Sequence, residues 1–340
     1  MPIPARQGSS RAASARPLAA VALVAALALT GCTASGSSDA AEPAGSADAT
    51  RTVATDYGDV QVPVDAERIV VLNYALAGYL YDLDVPVLAT IPESADGTGE
   101  FSEFWAEEAE QDGTEFLPWS VDGFDLEAIL DLDPDLIIGG GIGFPLFQAE
   151  QVYDDLTAIA PTVLVSGDLG DWRGQFSFLA EDVFDDGARY EELVAAYDAR
   201  VDEVRAAITP PPAPASFLTI TGDGTAYALV ESLGLPTEFA AVGIEPAPIF
   251  AEGDFEVYGG GGDMFELSTE QVGQTITQPT VFVMGFNGDT TDVATLQQNP
   301  VYAALPAFTS GNAYDLPYWV LRGDYDEAMA LLDIIEEQFG

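Results

Sequence analysis

The chain has 340 residues, and its 57 Asp and Glu residues face only 10 basic ones, every one of them arginine. Such acidity argues against a nucleic-acid ligand, because binding phosphates requires basic patches. Histidine is absent from the sequence. The chain therefore cannot form a Ser-His-Asp triad or a histidine-based zinc or manganese site, whereas chemistry based on a carboxylate pair remains open.

The N-terminal segment has the features of an export signal. A basic leader precedes a twelve-residue apolar run at 18–29, which is shorter than the roughly 20 residues of a membrane-spanning helix. The sequence Leu-Thr-Gly-Cys at 29–32 then resembles a bacterial lipobox, a signal whose cysteine is acylated. We predict a lipoprotein signal peptide over residues 1–31, a lipid anchor on Cys32 and a flexible tether over 32–50. The alternative is an incidental cysteine behind an ordinary cleavage site.

Apolar runs and turn residues predict the elements that follow. A β-hairpin is expected at 52–64, with its turn at Tyr57-Gly58-Asp59. Short, continuous apolar runs then alternate with helical or loop-like stretches, a pattern that indicates βα units and a largely parallel sheet. The predicted strands of this half are Ile69–Leu72, Val87–Ile91, Leu136–Ile138 and Val163–Val165.

One long helix is predicted near the middle of the chain. Apolar residues recur at helical spacing from Tyr190 to Ile208, and the prolines that begin at Pro210 cannot continue a helix. The α/β pattern then restarts and ends in an amphipathic helix at about 326–339. The predicted strands of this half are Ser216–Thr221, Val281–Met284 and, more weakly, Ala313–Leu316.

The order of these elements predicts two lobes. We expect an N-terminal α/β lobe over 51–186, a connecting helix over 187–210 and a C-terminal α/β lobe over 211–340. The alternative is a single large α/β domain with an ordinary long helix.

Several segments resemble one known family. The helix-turn-strand sequence at 126–139 (LEAILDLDPDLIIG) and the closing segment from Asn299 to Phe308 are similar to the class III periplasmic-binding-protein family of iron-siderophore and cobalamin binding proteins. Weaker parallels lie at 68–72 and 267–272, and the resemblance spans residues 51–340. It implies the type III fold, in which two Rossmann-like α/β lobes are joined by one rigid helix and ligand binds in the cleft between them.

The resemblance also implies a function without catalysis. It predicts a monomeric substrate-binding lipoprotein that delivers an iron(III)-siderophore to an ABC permease and carries no resident cofactor or metal. Removing residues 1–31 leaves seven arginines against 57 acids, a formal charge of −50. Since this charge repels a triply anionic tris-catecholate chelate, a neutral or cationic hydroxamate chelate is favoured. The alternatives are cobalamin on the same fold and, less favoured, a secreted carboxylate-dependent hydrolase.

Two glutamates are candidates for docking to the permease. Asp125 and Ser268 can each cap a helix N-terminus, which places Glu127 and Glu270 at the second helical position. The resemblance implies that acids at these two matching positions pair with permease arginines. The alternative is that they only complement the helix dipole, an effect of roughly 0.3–1 kcal/mol.

Strand ends and the closing segment provide candidates for ligand contact. Arg322 follows two aromatic residues and can offer five donors to ligand oxygens, the alternative being a surface ion pair. Arg189, Arg200 and Arg205 are expected to face solvent on the long helix. The glycine runs at 139–143 and 259–262 are interpreted as permissive loops, not phosphate sites. The aromatic candidates for the cleft are Tyr74, Trp119, Phe144, Tyr227, Tyr258, Phe286 and Trp319.

Overall fold

The computed structural model describes residues 49–95, 97–258, 262–286 and 291–340. The predicted signal peptide, Cys32 and the predicted tether up to residue 48 lie outside these ranges. Thr50, which was predicted to belong to the tether, pairs with Pro63 in the first hairpin. Within the described ranges, none of the helices has the length and apolar character needed to cross a bilayer.

The described residues of the first half form nine strands and six helices. The strands are β1 (Thr50–Thr55), β2 (Gly58–Pro63), β3 (Ile69–Val71), β4 (Val87–Thr90), β5 (Glu115–Phe116), β6 (Trp119–Ser120), β7 (Gly123–Phe124), β8 (Leu136–Gly140) and β9 (Thr162–Val165). The helices are α1 (Tyr74–Asp82), α2 (Ala106–Asp112), α3 (Leu126–Asp131), α4 (Phe144–Gln151), α5 (Tyr153–Ile159) and α6 (Trp172–Ser177), followed by a π-helical turn at Phe178–Val183.

A parallel sheet in the order β5-β4-β3-β8-β9 organises this half. The central strands β3 and β8 are buried along their whole length, as expected for continuous apolar runs covered on both faces. The four predicted strands are confirmed, with ends that differ by at most two residues. The predicted hairpin is formed by β1 and β2, although its turn lies at Asp56-Tyr57 instead of Tyr57-Gly58-Asp59.

Helix α7 (Gly187–Ala207) is the predicted long helix, and it follows the first sheet in the chain and precedes the second. Asp186 caps its start, and it ends before the proline run. The expectation that Arg200 faces solvent was wrong. Its side chain is 21% exposed and binds Asp333 at 2.6 Å and also Glu336, both on the C-terminal helix, because those acids face it where the two helices pack together.

The second half, as far as the structure describes it, has five strands and seven further helices. The strands are β10 (Ala215–Ile220), β11 (Ala226–Leu229), β12 (Met264–Leu267), β13 (Thr280–Gly285) and β14 (Ala313–Asp315). The helices are α8 (Leu235–Ala241), α9 (Ile249–Glu252), α10 (Thr269–Thr275), α11 (Val293–Leu296), α12 (Pro300–Ala303), α13 (Pro306–Ser310) and α14 (Tyr325–Phe339), with a 3-10 turn at Tyr318–Arg322 before α14.

The second sheet has the order β12-β11-β10-β13-β14 and is mixed. Strands β10, β13 and β14 run parallel, whereas β10, β11 and β12 are successively antiparallel. The expectation of a largely parallel sheet therefore holds for the first half and was wrong for this edge. The cause is local: only residues 221–225 join β10 to β11, a connection too short for a parallel crossover.

The two α/β halves share apolar packing around α7 and α14. One cluster of buried side chains includes Val71 of β3, Tyr197 of α7, Phe282 of β13 and Leu332 of α14. Helix α14 packs against α7 and also against α1 and α6 of the first half. At its start Asp324 lies so close to α1 that a Cβ on Gly78 would be 1.8 Å from its Oδ2 atom. The C-terminal helix thus fastens the second half to the first.

Candidate ligand-binding cleft

A cavity of about 290 Å³ is lined by loops of both halves. From the first half come residues that follow β3, β4 and β8, including Tyr74, Glu93 and Phe144. From the second half come Phe286, which follows β13, and residues of the 3-10 turn. Because α/β sheets bind ligands at the carboxyl ends of their strands, this cavity is the candidate binding cleft.

Most of the predicted ligand-contact residues meet in this one cavity. Tyr227 does not line it; its ring lies 5.6 Å from that of Tyr258 and 6.3 Å from that of Phe286, so it supports the wall from behind. Whether any of these side chains touches ligand stays a prediction. The predicted residues that line the cavity are Tyr74, Trp119, Phe144, Tyr258, Phe286, Trp319 and Arg322.

Neighbouring contacts fix the aromatic walls. The Tyr74 hydroxyl donates to the Glu100 carbonyl at 2.9 Å, and its ring lies 5.0 Å from that of Trp105. Trp119 donates its indole N–H to the buried side chain of Gln148. Trp319 meets Phe104 edge to face at 5.0 Å. Each of these aromatic walls of the cleft is thus held by contacts with neighbouring side chains or backbone.

Arg322 forms a bidentate ion pair inside the protein. Its Nε donates to Asp263 Oδ2 at 2.8 Å and its second terminal nitrogen donates to Oδ1 at 3.1 Å, with the side chains only 17% and 11% exposed. The guanidinium carbon also lies 5.8 Å from the Phe286 ring centre. Arg322 thus forms an ion pair, as the alternative interpretation expected, but the pair is largely buried and does not lie on the surface.

One glycine of the run at 139–143 makes room for this arginine. Gly143 has φ +102°, and a Cβ there would lie 2.6 Å from the remaining terminal nitrogen of Arg322. The interpretation of this run as a loop that allows close approach agrees with the geometry. Of the second glycine run, only Gly262 lies within the described residues.

Two acids that line the cleft, Glu93 and Glu327, were not predicted from the sequence. Burial raises the pKa of Glu93 to about 7, partly offset by its hydrogen bond to Tyr318 and by Arg322. Burial also raises the pKa of Glu327 well above its ordinary value, and the nearby carboxyl of Asp324 raises it further. Among the described residues that line the cleft, Arg322 carries the one positive charge, and Asp263 already neutralises it.

The two docking candidates have the predicted local geometry. Asp125 caps α3 by accepting from Ala128 N at 3.0 Å, and Ser268 caps α10 by accepting from Gln271 N at 3.3 Å. Glu127 and Glu270 occupy the second helical position in the two helices, and both are exposed. The structure repeats one arrangement in both halves, while its role in docking stays a prediction.

The described ranges contain no group of three or more His, Cys, Asp or Glu side chains arranged to hold a metal ion. Coordination of a metal by the protein itself is not needed for a ligand that brings its own chelating oxygens. Such a cleft can bind a bulky chelate by shape, by aromatic contact and by a few polar groups.

Comparison with known proteins identifies the family. The family model for periplasmic binding proteins matches residues 69–318. The ferric enterobactin-binding periplasmic protein FepB of Escherichia coli O6:H1 is 26% identical over 308 residues, which cover 86% of this chain and 92% of FepB. The probable siderophore-binding lipoprotein YfiY of Bacillus subtilis is 32% identical over 187 residues, about half of each chain at 54% and 53%.

Solved structures share the fold. Holo-ViuP superposes with a TM-score of 0.72 at 21% identity, covering 85% of this chain and 95% of ViuP. The triscatecholate siderophore binding protein FeuA of Bacillus subtilis, complexed with ferri-bacillibactin, gives a TM-score of 0.67 at 16% identity, covering 84% and 97%. The chain therefore belongs to the periplasmic binding protein family, whose members are substrate-binding proteins for transport and not enzymes.

Proposed function

We propose that this chain is the lipid-anchored, extracytoplasmic binding component of an ABC importer and that its cleft binds an iron(III)-siderophore. The observation that carries the proposal is the aromatic cavity at the strand ends of both halves. The names of FepB and YfiY as siderophore-binding proteins support the ligand class. The name of YfiY as a lipoprotein also supports acylation of Cys32. Hydroxamate or catecholate oxygens of the ligand would hold the iron, a hard cation.

The charges of the cleft favour a neutral or cationic chelate of the hydroxamate type. Arg322 is already paired with Asp263, so an anionic ligand would have to compete for its donors. Glu93 and Glu327 add two carboxyl groups to the wall. A triply anionic chelate would meet no unpaired cation among the described lining residues, so the cost of removing its charge from water would not be offset.

A tris-catecholate is the second candidate ligand. FepB is named for ferric enterobactin and FeuA for a triscatecholate siderophore, and these names are the observation in its favour. Cobalamin on the same fold is the third.

A fluorescence titration distinguishes the ligands. Trp119 and Trp319 line the cleft, so a bound iron chelate should quench their emission. We expect tight binding of a neutral ferric trihydroxamate and at least about tenfold weaker binding of a ferric tris-catecholate. The matched control replaces both tryptophans by phenylalanine and should lose most of the quenching. Tight binding of the catecholate with none of the hydroxamate would contradict the hydroxamate assignment, and binding of cobalamin alone would contradict the siderophore assignment.

Docking to the permease is proposed to rest on Glu127 and Glu270. The support is their exposure at the start of equivalent helices, one in each half of the chain. An exposed acid that is free to approach a permease arginine can form a charge-assisted contact that is partly removed from water on docking.

A further inference from the structure

A second, smaller cavity of about 30 Å³ adjoins the cleft. The two cavities share the walls formed by Ala75, Ile142, Leu321 and Arg322. The space is enough for a single water-sized group, since one water needs roughly 10–15 Å³ measured in this way. The charged and amide side chains that line it are Asp171 and Gln175 from the first half and Glu238, Asp263 and Arg322 from the second, and Tyr79 and Trp172 line it as well.

Glu238 is the unusual member of this cavity. It lies in the first turn of α8, and its Oε2 atom is buried without a hydrogen-bond partner among the described residues. Burial raises the pKa of Glu238 to about 8; the nearby Asp171 raises it further, while Arg173 opposes the shift. Most buried polar atoms in proteins have a hydrogen-bond partner, so this oxygen is available to a polar group that enters the cavity.

The other polar groups make the small cavity rich in acceptors. Gln175 donates its amide to the Leu169 carbonyl at 3.1 Å, which leaves its own carbonyl oxygen as an acceptor. Asp171 accepts from Gly174 N through Oδ1. Asp263 engages Arg322 with both oxygens. Three acids thus surround a space whose lining contains one cation, and a group that only donates hydrogen bonds and carries positive charge is the complementary occupant.

We propose that the small cavity binds a primary ammonium group at the end of a short arm of the chelate, with Glu238 as its acceptor. The inference rests on the proposed function, because the body of the chelate would occupy the larger cleft. The arm would pass the shared wall at Ala75 and Arg322. The ligand class is therefore an iron(III) chelate that carries a free primary amine.

Binding of an ammonium group has a proton balance that can be measured. The ammonium keeps its proton, and the carboxylic acid of Glu238 loses its own proton to the buffer. The other charged groups close to Glu238 are Asp171, which caps α6, Arg173 on α6, and Asp263 and Arg322 beside the cavity. Tyr79 and Tyr197 also lie near, and burial raises their pKa values so far that both stay neutral. Affinity for the amine should therefore rise between about pH 6 and pH 8.

The test uses two ferric trihydroxamates that differ only in whether the terminal amine is free or acetylated. Calorimetric titration of the full chain near pH 7 in two buffers of different ionisation heat measures affinity and proton release together. We expect the free amine to bind about tenfold more tightly or better, with release of up to one proton. In Glu238→Gln the preference should fall below about twofold and the proton release should vanish.

Glu252→Gln is the matched control, because Glu252 is an exposed acid on the neighbouring helix α9. It should keep both the preference and the proton release. Equal binding of the two chelates by the unmodified chain, or a preference that survives Glu238→Gln, overturns the inference. Proton release is measured on the unmodified chain, so the inference can still be tested if Glu238→Gln fails to fold. If neither chelate binds, the proposed function fails as well, and that outcome is distinct from equal binding.

Discussion

At the scale of single residues, the Arg322–Asp263 pair determines whether the cleft prefers a neutral or an anionic ligand. In Asp263→Asn the guanidinium loses its counter-charge and becomes available to ligand oxygens. We expect affinity for a tris-catecholate to rise about tenfold, while affinity for a neutral hydroxamate changes little. Fluorescence titration of both ligands measures this. Asp254→Asn, an exposed acid, is the control, and an unchanged ratio of the two affinities would argue against Arg322 as the charge-selective group.

The sequence could reveal some site residues and not others. Tyr74, Phe144 and Phe286 follow apolar runs or the turns after them, so their position at strand ends could be predicted from the sequence. Glu93 gives the same signal after β4, but in a chain with 57 acids one more acid attracts no notice. Glu238 and Glu327 become unusual only through burial, which depends on packing between elements that are distant in the chain.

At the scale of elements, α3 and α10 are the two docking candidates. Truncating one partner of a buried charge pair typically costs 2–5 kcal/mol, so the double variant Glu127→Ala, Glu270→Ala should strongly reduce uptake by cells. Ligand affinity in solution should stay within about threefold, because neither acid lines the cleft. The control is Glu107→Ala, Glu252→Ala, which removes two other exposed first-turn acids. Normal uptake at normal protein abundance would show that these helices do not dock.

The elements were predictable where their signal is local. Buried strands such as β3 and β8 appear as apolar runs, and α7 appears as a sustained helical stripe. The hairpin of β10 and β11 was missed although Gly222-Asp223-Gly224 is a turn signal between two apolar runs. The short strands β5, β6 and β7 have two residues each, too few for any periodicity.

At the scale of the whole molecule, buried acids should make stability depend on pH in an unusual direction. Burial raises the pKa of Asp82 to about 9, that of Glu238 to about 8, and those of Glu93 and Asp324 to about 7. Unfolded carboxyls titrate near 4, so the folded protein binds more protons between these values. Stability from these groups is complete below about pH 4 and is lost as the pH rises towards 9.

Thermal unfolding from pH 5 to pH 9 measures this effect. We expect the melting temperature to fall across the range, because each group costs about 1.4 kcal/mol of stability per pH unit while it is protonated in the folded protein and ionised in the unfolded chain. Asp82→Asn should flatten the profile at its alkaline end, because it removes the buried carboxyl with the highest of these values. Asp59→Asn, at an exposed position of β2, should leave it unchanged. A melting temperature that rises from pH 5 to pH 9 would contradict the expectation.

The packing of α14 against the first half affects the rate at which ligand can bind. The two halves share buried side chains, and Asp324 packs closely against Gly78. A wide separation of the halves would therefore expose apolar surface to water. Ligand must therefore enter by a small adjustment around the cleft, without a wide separation of the two halves. Encounter by diffusion then sets the rate of association for every chelate that fits, so chelates would differ chiefly in how long each one stays bound.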